Sequence, residues 1–110
     1  MAERRIINAI KYLKKCVEEN GVRVERVVLF GSHANGTCTA DSDIDVVIVS
    51  EDFKGKSVFE RAAMTGNAEW AAVKKYRISF DIVTMTSDEL ENGVSPVAGF
   101  AREGKVVFAA

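Results

Sequence analysis

The sequence predicts a small α/β (α+β) domain, in which helices pack on a mixed β-sheet of three to four short strands. Three runs rich in β-branched and aliphatic residues support this fold class: 24–30, 43–50 and 77–84. Segments with helical spacing of apolar residues precede, separate and follow these runs, which is typical of helices that cover a sheet. The 110 residues, 47% of them hydrophobic, suffice for one core, so we expect residues 1–110 to form a single domain.

The first predicted element is an amphipathic helix. Its basic residues lie largely off an apolar stripe with helical spacing, formed by Ile6, Ile10, Leu13 and Val17. Asn20-Gly21 predicts the end of this helix, because glycine readily adopts the left-handed conformation that follows a last turn. The first strand then covers 24–30 and stops at Gly31.

The middle of the chain predicts a second helix over 57–75. One face would carry Phe59, Ala63, Gly66, Trp70 and Val73. Because glycine is a poor helix former, we expect this helix to be weakened or broken around 65–67, and we expect Trp70 in the core. No motif in 51–76 indicates a function.

The C-terminal third predicts one more strand, two helices and a short last strand. Residues 77–84 form the strand, and Ser87 is a plausible cap for the helix that follows. Pro96 marks the start of the last helix and Gly104 its end, before a strand over 105–108.

Composition excludes several classes of protein. The formal net charge of −1 provides no general attraction for nucleic acid or an anionic membrane, so we do not expect a long polynucleotide substrate. The first 20 residues carry frequent charges and lack an apolar stretch of signal-peptide or membrane-spanning length, so we expect a soluble cytoplasmic protein. Cys16 and Cys38 lack the spacing of a metal or disulfide motif and are expected to be reduced thiols.

Two aspartates at the start of the second strand are the main candidates for chemistry. Residues two apart on a strand share a face, so Asp43 and Asp45 would project together, roughly 7 Å apart along the backbone. The third strand offers Asp81, which is also set among apolar neighbours. Carboxylate oxygens suit Mg²⁺, which completes its shell with water and substrate phosphates. Three such acids could hold two Mg²⁺ ions, or Mn²⁺ in their place, for in-line displacement at phosphorus.

The Gly31-Ser32 turn adds a candidate site for phosphate. Glycine allows a ligand to approach the backbone closely, and the loop or helix start after it could direct N–H groups and the Ser32 hydroxyl at phosphate oxygens. A strand, a Gly-Ser turn and a second strand with two aspartates together describe a site for a metal-bound triphosphate.

Two similar motifs are excluded. Residues 31–37 have the glycine spacing of a Walker A loop, but Thr37 stands where that loop requires lysine. Residues 41–46 resemble the start of an EF-hand loop, but Val46 replaces its turn glycine. His33, the one histidine, could touch a nucleotide or have a purely structural role, and we favour the structural role.

The combined motifs resemble a known family. The residues that carry the resemblance are Gly31-Ser32-His33-Ala34-Asn35-Gly36, then Ser42-Asp43-Ile44-Asp45-Val46, and Asp81. This pattern resembles the DNA polymerase β-type nucleotidyltransferase superfamily, and most closely the minimal nucleotidyltransferases. Together with the leading helix and the closing AREGKVVF segment, the resemblance spans most of the chain.

The resemblance implies a polymerase β-like palm fold and a role for each motif residue. Gly31 and Ser32 would hold the β- and γ-phosphates of a nucleoside triphosphate, with ATP as the expected substrate. Asp43 and Asp45 would bind the catalytic and nucleotide-bound metal ions. Asp81 would complete the shell of the catalytic metal and help to activate the attacking hydroxyl. The reaction would transfer a nucleoside monophosphate and release pyrophosphate.

One departure from the family pattern concerns phosphate binding. The commonest pattern has a basic residue at the position of Asn35. We expect the loss of that positive charge to affect the turnover rate more than metal binding.

The resemblance also bears on the acceptor. Minimal members are often found beside HEPN-type proteins and act as antitoxins that modify a tyrosine of the toxin with AMP, so the resemblance implies a HEPN-type partner protein. Two alternatives stay open. The chain could be a non-catalytic binding module that neutralises a partner sterically. It could instead be a small-molecule nucleotidyltransferase whose acceptor pocket forms between the subunits of a homo-oligomer.

Overall fold

The structure, a computed structural model, describes residues 4–110, so that residues 1–3 of the expected 1–110 domain lie outside it. Five helices and four strands follow one another along this part of the chain: α1 (Arg4–Glu19), β1 (Arg26–Phe30), α2 (Ser32–Asn35), β2 (Ile44–Val49), α3 (Val58–Tyr76), β3 (Phe80–Met85), α4 (Ser87–Asn92), α5 (Pro96–Arg102) and β4 (Lys105–Ala109). A short 3-10 turn, Glu51–Phe53, follows β2.

The four strands form one mixed sheet in the order β3-β2-β1-β4. Strand β1 is antiparallel to both β2 and β4, whereas β2 and β3 are parallel. Parallel neighbours require a long crossover connection, and α3 provides it. The predicted fold class, a small mixed sheet of three to four strands with helices packed on it, is therefore confirmed.

The sheet buries both of its faces, because alternate residues of each strand point to opposite sides. One face packs against α1 and α3 through residues that include Val27, Leu29, Ile44, Val46 and Ile48. The other face packs against α4 and α5 through a smaller cluster of Val28, Val47, Val49, Met85, Leu90, Ala98 and Ala101. Asp45 lies two residues before Val47 and therefore shares this second face.

Helix α3 differs from its prediction in two ways. It is continuous from Val58 to Tyr76, without a break at Gly66. A glycine costs a helix only about 1 kcal/mol, and a capping box between Ser57 and Glu60 fixes the first turn. The predicted buried face is also wrong, because Phe59 and Trp70 are 86% and 64% exposed. The buried residues of α3 are the smaller Thr65, Ala68 and Ala72.

Two further boundaries differ from the sequence prediction. Strand β3 begins at Phe80, because Arg77 has a left-handed conformation (φ 56°) and its N–H closes the last turn of α3 on Val73. The cap of α4 is Thr86 rather than Ser87, since the Thr86 hydroxyl accepts the N–H of Glu89. The remaining elements begin and end within two residues of the predicted positions.

Cys16 is buried, Cys38 is exposed, and both are free thiols, as predicted. Among residues 4–110, no helix has the length and apolar character that crossing a membrane requires.

An ion pair joins α3 to α4. Arg61 donates to both carboxylate oxygens of Glu89, at 2.7 and 3.1 Å, while Glu89 also accepts the N–H of Thr86. The hydrogen bonds from Arg61 are the main reason that the pKa of Glu89 lies below its usual range, and the bond from the Thr86 backbone adds to them. The charged form of Glu89 therefore stabilises the fold above its unfolded pKa, and this contribution is lost as the pH falls through the folded pKa.

We expect Glu89→Gln to lower the free energy of unfolding by about 1 kcal/mol at pH 7, the size of a well-formed but solvent-screened ion pair. Glutamine keeps the capping-box geometry and removes only the charge. Urea unfolding of both proteins at pH 7 and at pH 3 measures the effect, which should shrink at the lower pH. Glu91→Gln, which loses a single exposed pair with Arg26, is the matched control and should cost less. If the two proteins differed as much in free energy of unfolding at pH 3 as at pH 7, the effect of Glu89→Gln would not be electrostatic.

Candidate active site

Three neighbouring strands place a row of side chains across one end of the sheet. Asp45 on β2 lies opposite Phe30 on β1 and is in register with Asp81 on β3. Residues opposite one another on paired strands share a face, and neighbouring strands lie about 4.8 Å apart. The sequence analysis anticipated the two aspartates of this row, and the structure brings them side by side.

The electrostatics of Asp45 follow from this row. Partial burial is the main reason that the pKa of Asp45 lies above its usual range, and the negative charges of Asp81 and Asp43 raise it further. A hydrogen bond between the side chains of Asp45 and Asp81, which requires a protonated carboxyl group, also raises the pKa of Asp45. His33 acts weakly in the opposite direction. The carboxylates of Asp45 and Asp81 therefore repel each other when both are charged, and a bound cation would relieve this repulsion.

The Gly31-Ser32 turn contacts this pair directly. Gly31 has φ 72° and ψ −154°, a conformation that is essentially restricted to glycine. A β-carbon at this position would overlap the Asp45 carboxylate, so the backbone of the turn lies against that side chain. Helix α2 begins immediately afterwards, and the backbone N–H groups of Ser32 and His33 find no acceptor among residues 4–110. Two unused donors thus lie next to the aspartate pair.

Side chains of the loop hold the turn in place. His33 Nε2 lies 3.2 Å from the carbonyl oxygen of Ser42, which links the turn to the entrance of β2. Asn35, at the position where the family pattern has a basic residue, accepts bonds from the N–H and hydroxyl of Thr37 at 3.1 and 2.6 Å. The structure thus gives both His33 and Asn35 a role in shaping the loop.

Asp43 stands apart from the row. Strand β2 begins at Ile44 rather than at Asp43, so Asp43 is an exposed residue of the preceding loop. Asp43 lies two residues before Asp45, and its charge raises the pKa of Asp45. Across residues 4–110, no group of three His, Cys, Asp or Glu side chains is arranged to enclose a metal ion. The structure therefore supplies an aspartate pair with a third carboxylate nearby, rather than a closed metal cage.

One acidic residue near the row was missed from the sequence. Glu69 on α3 is half-buried, and its pKa is raised mainly by this burial and further by the charge of Asp81. Helical spacing from Thr65 and Ala72 places Glu69 beside the buried face of α3. The signal in the sequence that could have identified Glu69 is a carboxylate at helical spacing from the small residues Thr65 and Ala72.

The donor set fits a hard divalent cation. Mg²⁺ prefers carboxylate oxygens, binds through one or two protein carboxylates, and completes its shell with water and substrate phosphates. Asp45 and Asp81 present two such carboxylates beside a turn with free N–H donors. Because repulsion already opposes full ionisation of this pair, the residues present fit a bound cation.

Residues 10–104 match the family model described as "Nucleotidyltransferase domain". The chain belongs to the nucleotidyltransferase domain family. The protein is accordingly a nucleotidyltransferase, and the match includes the Gly31-Ser32 turn and all three aspartates of the sequence prediction.

Individual relatives of this nucleotidyltransferase agree with the family assignment. "Putative protein adenylyltransferase MJ1305" of Methanocaldococcus jannaschii is 22% identical over 98% of this chain and 75% of the relative. The crystal structure of "a putative nucleotidyltransferase from Sulfolobus solfataricus" is 28% identical and has a TM-score of 0.53, with 79% of this chain and 78% of the other covered.

Two further solved structures share the fold. A toxin-antitoxin crystal structure with AMP-PNP gives a TM-score of 0.63 at 21% identity, with 94% of this chain and 73% of the other covered. A double Asp-to-Glu mutant of the toxin-antitoxin pair MntA-HpeT gives 0.62 at 18% identity, with 94% and 74% covered. In both comparisons the shared fold covers nearly the whole length of this nucleotidyltransferase.

Proposed function

We propose that this nucleotidyltransferase transfers AMP from ATP to a hydroxyl group of a partner protein and releases pyrophosphate, and that the partner is a HEPN-type toxin. The observation that carries the proposal is the aspartate pair, Asp45 and Asp81, held against the Gly31-Ser32 turn. This arrangement places negative ligands for a cation next to backbone donors for phosphate.

Each residue of the site has a proposed role. The turn binds the outer phosphates through the N–H groups of Ser32 and His33 and the Ser32 hydroxyl. Asp45 and Asp81 hold Mg²⁺ with the triphosphate, Asp43 supplies the third carboxylate nearby, and Asp45 is kept in position by the backbone of Gly31. Besides completing the metal's shell, Asp81, the exposed member of the pair, helps to activate the acceptor hydroxyl by receiving its proton as it attacks. Bound Mg²⁺ would supply charge neutralisation at the phosphoryl oxygens.

The exposure of Asp81 supports a macromolecular acceptor. Strand β3 is an edge strand, so the acceptor hydroxyl can approach Asp81 from solvent without entering the protein. The relative from Methanocaldococcus jannaschii is named as a protein adenylyltransferase, and two structural neighbours are toxin-antitoxin complexes. Both lines favour a protein acceptor, and AMP-PNP in one of the neighbours favours ATP as the donor.

Label transfer tests the proposal. The purified protein is incubated with Mg²⁺, α-labelled ATP and a lysate of its source, next to an Asp43→Asn/Asp45→Asn double variant. We expect one labelled protein band that is absent with the double variant and absent when EDTA removes the metal. Mass spectrometry of that band should find AMP on a hydroxyl side chain of a HEPN-type protein. A labelled small molecule instead of a protein would contradict the proposed acceptor, and no label at all would favour a binding module.

A further inference from the structure

A cavity with a volume of about 400 Å³ opens beside the Gly31-Ser32 turn. It lies between the end of β1, helix α2 and the segment from α5 to β4, and the residues that line it include Phe30, Gly31, Asn35 and Phe100. Pockets for small molecules commonly have volumes of about 300–1,000 Å³. The cavity is therefore large enough for a ligand.

The lining has two kinds of surface. At Gly31 it shares a residue with the turn to which the phosphates are assigned. At Phe30 and Phe100 it presents aromatic side chains, and Phe30 lies directly opposite Asp45 in the sheet. The cavity thus adjoins the turn on one side and presents aromatic rings on another, with Glu103 and Lys105 also in its lining, which suits a ligand with a charged end and a flat aromatic end.

Phe100 is an unusual wall residue. It is 63% exposed, whereas its helix α5 is fixed to the sheet by the buried Ala98 and Ala101. A phenylalanine so exposed contributes little to the core. Its ring is available for stacking with a ligand in the cavity.

We propose that this cavity binds the nucleobase and ribose of the nucleoside triphosphate, with Phe100 as the surface on which the base stacks. The inference rests on the proposed function and deepens it by assigning the nucleoside half of the substrate. A nucleoside is covalently joined to the α-phosphate, which must lie at Asp45 for transfer to occur. Gly31 lines the cavity and its backbone lies against Asp45, so the cavity opens beside that position. The acceptor hydroxyl must instead reach Asp81, which does not line the cavity.

Calorimetric titration with two ligands tests the proposal. Mg-ATP carries a base, whereas Mg-tripolyphosphate carries only the phosphates. Because stacking on an aromatic side chain contributes measurably to binding of a base, we expect Phe100→Ala to weaken Mg-ATP binding about 10-fold. Binding of Mg-tripolyphosphate should be unchanged, and Phe100→Tyr, which keeps an aromatic ring, should restore ATP binding.

Phe59→Ala is the matched control. Phe59 is also an exposed phenylalanine, but it lies on α3 and does not line the cavity, so its removal should leave both affinities unchanged. Thermal melts of each variant show whether the fold is retained.

The possible results separate this inference from the proposed function. Equal ATP affinities for the wild type and Phe100→Ala would overturn the stacking role while leaving the proposed function intact. A parallel loss of tripolyphosphate binding would also overturn it, because the effect would then not depend on the base. If the wild type bound tripolyphosphate but gained nothing from the nucleoside of ATP, the cavity would not be a nucleoside site. If the wild type bound neither ligand, both proposals would fail.

Discussion

Replacing Asp45 with asparagine is expected to reduce nucleotidyl transfer by at least about 100-fold, because charge stabilisation by a bound metal is worth several kcal/mol and each 1.36 kcal/mol is a tenfold change in rate. Asparagine has nearly the same shape and keeps one oxygen, but it removes the negative charge that a divalent cation requires. Isothermal titration with Mg-ATP and the label-transfer assay measure the two consequences, weaker binding and slower transfer.

The same substitution should make the unliganded protein more stable at neutral pH. The fold raises the pKa of Asp45 above its unfolded value, mainly through burial and next through the charges of Asp81 and Asp43. The stabilising contribution of protonated Asp45 is therefore fully present below the unfolded pKa and is lost as the pH rises through the folded pKa. Asparagine remains uncharged throughout, so the melting temperature of Asp45→Asn should exceed that of the wild type at pH 7.

Thermal melts without added metal between pH 4 and pH 8 check this expectation. The difference in melting temperature between Asp45→Asn and the wild type should be largest at pH 7 and should decrease toward pH 4. Asp41→Asn is the matched control, because Asp41 is an exposed aspartate of the loop that precedes β2. It should change neither the melting temperature nor the transfer rate appreciably. A destabilised Asp45→Asn protein with normal transfer would contradict both the electrostatic account and the catalytic role.

The sequence predicted the sheet better than it predicted helix α3. The run 46–49 is apolar at every position because both faces of the sheet are covered, and a short run of β-branched residues is typical of such a buried strand. In α3, apolar residues occur on two sides of the helix, and hydrophobicity alone favoured the side with Phe59 and Trp70. The fold instead buries the small residues Thr65, Ala68 and Ala72, with α1 against this helix. Which side of a helix meets its neighbour depends on packing geometry that a local pattern does not contain.

The candidate site shows the same division between local and non-local information. Spacing within one strand identified Asp45, and the motif identified Gly31 beside it. The register between β2 and β3 brings Asp81 level with Asp45, and Phe100 lines the same cavity as Gly31. Both arrangements depend on contacts between distant parts of the chain. For Asp43 the local pattern was misleading. Its spacing from Asp45 predicted that both side chains share a face of the strand, but the strand begins at Ile44, one residue after Asp43.

Gly31→Ala is expected to abolish Mg-ATP binding and to destabilise the fold. Gly36→Ala should retain Mg-ATP binding and should destabilise the fold less. Both glycines have positive φ, 72° and 82°. Gly36 has the ordinary left-handed conformation at the end of α2 and has open space around the position of a β-carbon. Gly31 has the more restricted conformation, and its β-carbon would overlap Asp45 Oδ2.

The difference between the two variants isolates the contact with Asp45. Alanine in a conformation reserved for glycine costs about 1–3 kcal/mol of stability, and at position 31 the Asp45 carboxylate must also rotate away from the row. Because that carboxylate is a proposed metal ligand, we expect Gly31→Ala to lose Mg-ATP binding even at temperatures where circular dichroism shows it folded. Gly36→Ala should retain binding despite some loss of stability. If folded Gly31→Ala bound Mg-ATP as tightly as Gly36→Ala, the close approach of the turn to Asp45 would have no part in substrate binding.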